Sequence, residues 1–84
     1  MKSRINKGFI IQKVGGKVTI FDGEKSELIT FNKVGSFIFY KIKLGWEAGR
    51  ITKELTKLYS VSEKEAKEDV ERFIENLVEE GVIS

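Results

Sequence analysis

Residues 8–31 read GFIIQKVGGKVTIFDGEKSELITF, and this stretch decides the class of fold. Apolar and β-branched residues fill three short runs, Gly8 to Val14, Lys17 to Asp22 and Glu27 to Phe31, with turn residues between them. Gly15-Gly16 is a two-residue hairpin signal, because both positions tolerate the positive φ of a I′ or II′ turn. Asp22-Gly23-Glu24-Lys25-Ser26 is a longer polar turn into the third run. Strands joined in this way are expected to pair as an antiparallel meander.

Past the strands, the apolar period lengthens to that of a helix. Asn32 is placed to cap a first helix whose stripe is Val34, Phe37, Ile38 and Ile42, and Phe39 and Tyr40 widen that stripe beyond the arc of a surface helix. A central helix covered on two sides is expected. Gly35 falls in its first turn, where glycine costs up to about 1 kcal/mol relative to alanine unless it permits a neighbouring backbone to come close. Gly45 to Arg50 breaks the pattern, and a second helix follows with Ile51, Leu55, Leu58 and Tyr59. The third is SEKEAKEDVERFIENLVEEGVIS, residues 62–84. Ser62 and Glu65 form a capping box, Val61 and Ala66 a hydrophobic staple, and Gly81 a stop. Between them Ala66, Val70, Phe73, Ile74, Leu77 and Val78 make one apolar stripe that needs a partner surface. The expected architecture is α+β and winged-helix-like, a three-stranded antiparallel sheet followed by three helices.

The 84 residues are expected to form one domain, 1–84, able to bury roughly 60–65% of its extended-chain surface. There is no cysteine and no histidine, which excludes thiol catalysis, thiolate or imidazole metal sites and a histidine base. GKVTIF and DGEKSE lack the glycine and lysine spacing of a phosphate cradle. No catalytic residue, cofactor or metal is expected, and the chain does not read as an enzyme. The start of the chain is basic, but its apolar run, Phe9 to Ile11, is too short for a signal segment or a membrane span. A soluble, cytoplasmic protein with no membrane partner is expected.

Charge divides the chain. Residues 1–61 carry 12 basic against five acidic residues, and residues 62–84 carry three against eight. A helix-turn-helix reading of residues 51–80 would send the last helix into a DNA groove, where phosphates demand Lys and Arg, and its acidity opposes that. Lys41, Lys43, Arg50, Lys53 and Lys57 keep a small winged-helix nucleic-acid-binding protein as the alternative function.

Strand three carries a different signal. If Ile29 and Phe31 point into the core, Leu28 and Thr30 point outward, and Leu28 is then an apolar residue on an otherwise polar face. Were this strand the sheet edge, its free N–H and C=O groups would be a template for an incoming peptide strand. An adjacent amphipathic last helix would supply the second wall of a groove.

Two segments carry a resemblance that covers roughly residues 9–83. FNKVGSFIF, Phe31 to Phe39, is similar to the Leu-Asn-x-x-Gly-x-x-Ile-aromatic stretch of the PqqD family, with matches at Asn32, Gly35, Ile38 and Phe39. EDVERFIENLVEEGVI is similar to that family's closing Asp-x-x-x-Phe-x-x-x-Leu-x-x-x-Gly and two apolar residues, with matches at Asp69, Phe73, Leu77, Gly81, Val82 and Ile83. The resemblance implies a peptide chaperone that binds the leader of a ribosomally made precursor peptide. The leader would add antiparallel to strand three beside the last helix. It implies a stand-alone form that hands its peptide to a separate radical-SAM enzyme or leader peptidase, and an exposed edge strand would permit a weak homodimer beside the monomer. Glu27, Leu28, Ile29, Thr30 and Phe31 are then the expected strand contacts, and Asp69, Arg72, Phe73, Asn76 and Leu77 the opposite wall. The sequence departs from the family pattern at Arg50, where a small helix cap is usual, so the second helix is expected to start as late as Thr52. GWEAGR is also longer and more aromatic than the family's turn, and Trp46 is expected to pack rather than to touch a partner.

Overall fold

A computed structural model describes residues 4–84, so the basic start at Lys2 lies outside the described residues. Three strands, β1 (Phe9–Val14), β2 (Lys17–Asp22) and β3 (Glu27–Thr30), precede three helices, α1 (Lys33–Lys43), α2 (Ala48–Tyr59) and α3 (Glu63–Glu79). The sheet is antiparallel in the order β1-β2-β3, which leaves β1 and β3 as its edges. Gly15 and Gly16 have φ of +58° and +80°, the double positive φ of the tight hairpin turn. The expected α+β arrangement is the observed one. Gly8, taken in sequence as part of the first strand, lies outside it because its φ is +97°.

Alternation along β2 buries Val18 and Ile20 against the helices. The third inward residue, Asp22, is buried yet satisfied, its carboxylate accepting from the backbone N–H groups of Glu24 and Lys25 at 3.0 and 3.3 Å. Across the sheet, Ile38, Phe39 and Ile42 of α1 meet Ile51 and Leu55 of α2 and Val70 and Leu77 of α3 in one cluster. Phe39 is fully buried, and a side chain of that size contributes about 2–3 kcal/mol by leaving water. α1 is the central helix that its wide stripe implied.

The caps explain the helix ends. Asn32 accepts from the Gly35 N–H at 2.8 Å, and Ser62 accepts from the Glu65 N–H at 3.1 Å. α3 closes in a Schellman motif: Val82 N–H donates to Leu77 C=O, Gly81 N–H donates to Val78 C=O, and Gly81 sits at φ +76°. α2 begins at Ala48 rather than at Thr52. Glu47 is its N-cap in extended conformation without a side-chain cap bond, and its carbonyl already accepts from Arg50 and Ile51. Beyond α3 the chain turns back to pair with its own start, Arg4 and Ser84 exchanging two backbone bonds of 2.9 Å, with Ile5 opposite Ile83.

Candidate functional site

Edge strand β3 presents one side of its backbone to no other strand. Phe31 N–H donates to Val18 C=O at 3.0 Å, and backbone groups alternate sides along a strand. Glu27 and Ile29 therefore spend theirs on β2, as Phe31 does its N–H, while Leu28 and Thr30 aim N–H and C=O outward. The side chains alternate the other way, across the sheet: Ile29 and Phe31 are half-buried on the helix side, and Leu28 and Thr30 are exposed.

The last rung of the β2–β3 ladder is opened by a helix side chain. Val18 N–H donates not to Phe31 but to Ser36 Oγ at 2.8 Å, and the Ser36 hydroxyl donates on to Phe31 C=O at 3.3 Å. A buried hydroxyl of α1 thus anchors the end of the edge strand and fixes its distance from the helices.

Across from β3 stands α3, and between them lies a cleft of about 540 Å³. Its lining joins Glu27, Ile29, Thr30 and Phe31 to Phe73, Asn76, Leu77 and Glu80, with Asn32 and Gly35 from the start of α1. Phe31 is the hinge of this wall, its ring 5.0 Å from Phe73 edge-on and 5.4 Å from Phe39. Phe73 and Leu77 serve both core and cleft: Leu77 is buried, Phe73 half-buried, and both line the opening. Gly35 earns its place here. A Cβ at that position would stand 3.3 Å from Phe31 Cβ and 3.6 Å from the Phe73 ring, so the close neighbours are side chains rather than backbone.

Asp69 and Arg72 lie on a shallower continuation of the cleft, of about 360 Å³, which shares Asn32, Gly35, Phe73 and Asn76 with it. They form an exposed i,i+3 ion pair at 3.8 Å, a type that contributes little to stability. Leu28 stands apart from the cleft. Its side chain is on the outer sheet face, in cross-strand rank with Phe21 and Ile10, so that face is not otherwise polar. Sequence reasoning missed Asn32, Gly35 and Glu80 as lining residues. The first two were legible as cap and first-turn glycine, but their position at the cleft depends on how α1 meets β3.

Two basic residues of the alternative reading lie over one ring. Lys41 Nζ lies 4.4 Å and the Arg50 guanidinium 3.7 Å from the centre of the half-buried Trp46 ring, which packs as expected. Among the described residues no group of His, Cys, Asp or Glu is placed to hold a metal ion, and no helix is long and apolar enough to cross a membrane.

Comparison with known proteins bears on this arrangement. No curated protein matches the sequence. Among solved structures, TbiB1 in complex with the TbiA(beta) leader peptide superposes with a TM-score of 0.90 at 17% identity, over 96% of this chain and 94% of that one. Lasso peptide synthetase B1 complexed with the leader peptide superposes with a TM-score of 0.93 at 19% identity, over 100% of this chain and 99% of that one. At such identities the likeness is one of fold. The family model of coenzyme PQQ synthesis protein D (PqqD) matches residues 17–83, which take in β2, β3 and every helix. With most of its length covered, this chain belongs to the PqqD family.

Proposed function

We propose that this domain, residues 1–84, binds the leader segment of a ribosomally synthesised precursor peptide and presents it to a separate enzyme, a radical-SAM enzyme or a leader peptidase. The observation that carries the reading is the open backbone of Leu28 and Thr30 beside an apolar cleft walled by Ile29, Phe31, Phe73 and Leu77. An incoming strand bonds to those two residues, and its alternate side chains drop into the cleft. Membership of the PqqD family supports it, as do two fold relatives solved with leader peptides.

The domain acts without catalysis and without a cofactor, in the cytoplasm where its precursor is made, as a monomer or weak homodimer. Glu27 and Glu80 at the cleft favour a leader with some basic character, and apolar anchors fill the interior. Titration of the labelled domain with a synthetic leader from a neighbouring precursor gene, followed by amide NMR, tests this. Saturable shifts at residues 27–31 and 66–80 are expected. Absence of those shifts, with salt-sensitive shifts near Lys41, Lys53 and Lys57 on adding duplex DNA, would replace this reading with nucleic-acid binding.

A further inference from the structure

The basic half of the chain carries a second concavity, which the cleft does not use. The β1–β2 turn, one flank of α1 and the end of α2 enclose about 480 Å³, lined by Lys13, Lys33 and Lys41 together with Phe37, Tyr40 and Tyr59. No carboxylate lines this bowl, and it shares no residue with the cleft. On α1, Gly35 serves the cleft while Lys33, Phe37 and Tyr40 serve the bowl; at 100° per residue Gly35 lies on the opposite flank of the helix from those three.

Its cations have no acidic partner. Among the described residues ion pairs occur only within α3, Lys67 with Glu71 and Arg72 with Asp69. Lys13 Nζ instead lies 4.4 Å from the centre of the Tyr40 ring, and Lys41 Nζ lies 5.4 Å from Phe37 as well as over Trp46. A ring face steadies an ammonium group but accepts none of its hydrogen bonds in the way a carboxylate does, so the N–H donors stay available. Tyr40 and Tyr59 are 38% and 39% exposed, and Phe37 meets Tyr59 edge-on at 6.2 Å. Exposed aromatic rings are enriched at interface centres, and the lysines around these rings make a polar rim.

We propose that the bowl docks an acidic segment of a partner protein, its carboxylates taken by Lys13, Lys33 and Lys41 and an apolar side chain resting on Phe37 and Tyr59. Two observations favour protein carboxylates over nucleic-acid phosphates. Phe37 and Tyr59 meet edge-on, an arrangement that seats one apolar side chain rather than a run of stacked bases. Residues 62–84, with eight acidic against three basic residues, repel a long polyanion, whereas a short acidic segment need reach only the bowl. Because bowl and cleft lie on opposite flanks of α1, a partner at one leaves the other open.

An amide NMR titration with a synthetic peptide of repeated Glu-Glu-Leu triplets tests the proposal, and it does so without reference to any leader. Saturable shifts are expected at Lys13, Gly15, Gly16, Phe37 and Tyr40, with affinity about tenfold weaker or more in the Lys13→Glu, Lys41→Glu double variant. Undisturbed core amides verify the fold of that variant, and Lys33→Glu gives the same loss if the double variant does not fold. Shifts spread equally over Lys64 and Lys67, unchanged affinity after charge reversal, or tighter binding of oligothymidine at the same residues would each overturn it.

Discussion

The cleft beside β3 and the bowl beside the β1–β2 hairpin are separated by one helix, yet they select by different physics. In the cleft the strand's backbone groups are fixed in direction, Asn32 and Asn76 interrupt walls that are otherwise largely apolar, and Glu27 and Glu80 are its charges. In the bowl the charges are three lysine termini on flexible stems, two of which, Lys13 and Lys41, lie over aromatic rings. The first arrangement reads register and shape and changes little with salt; the second reads charge and weakens as the Debye length shortens. One small domain can therefore hold two ligands without either competing for the other's chemistry.

The largest blow to that separation is expected from Phe73→Ala. Loss of a half-buried ring that meets Phe31 edge-on should cost about 2–3 kcal/mol and lower the melting temperature by roughly 10 °C or more, read by thermal denaturation. Leader binding should vanish at concentrations that saturate the parent, while the acidic probe still binds the bowl. A parallel loss at both places would show that they are one site. Ser36→Ala comes next, since it strips Val18 N–H and Phe31 C=O of their buried bridge; urea denaturation should register roughly 1–3 kcal/mol.

Thr30→Pro sharpens the contrast with less damage. It removes an N–H that faces the open edge and leaves the β2 ladder intact, the setting in which a strand tolerates proline. Calorimetry should find leader affinity about tenfold weaker and probe affinity unchanged; an unaffected leader would rule out strand addition. Asp69→Ala is expected to do least. The exposed pair with Arg72 is worth at most about 0.5 kcal/mol, and a change in leader affinity beyond about tenfold would make Asp69 a direct contact.

The strands and helix ends were legible because their signals are local, whereas the cleft needed the family resemblance to bring the last helix beside strand three. Gly15-Gly16 marks its own turn, Asn32, Ser62 and Gly81 mark helix ends, and alternation alone places Ile29 and Phe31 opposite Leu28. The start of α2 was not legible, because Glu47 stands at the N-cap position with no side-chain cap bond to mark it. The rank of Ile10, Phe21 and Leu28 requires the register of all three strands, and the pairing of Arg4 with Ser84 joins residues at opposite ends of the chain. Ser36, which bridges Val18 and Phe31, looks in sequence like an ordinary polar helix residue.

That serine also determines where the entropy of binding falls. With Val18, Ser36 and Phe31 locked together, β3 has little freedom left to lose, so the ordering cost of a fourth strand rests on the incoming peptide, at about 1–2 kcal/mol of backbone entropy per residue fixed. Engineering tighter capture is then a matter of stiffening the ligand. A leader restrained toward the extended conformation should gain affinity without a single new contact, chiefly through slower release.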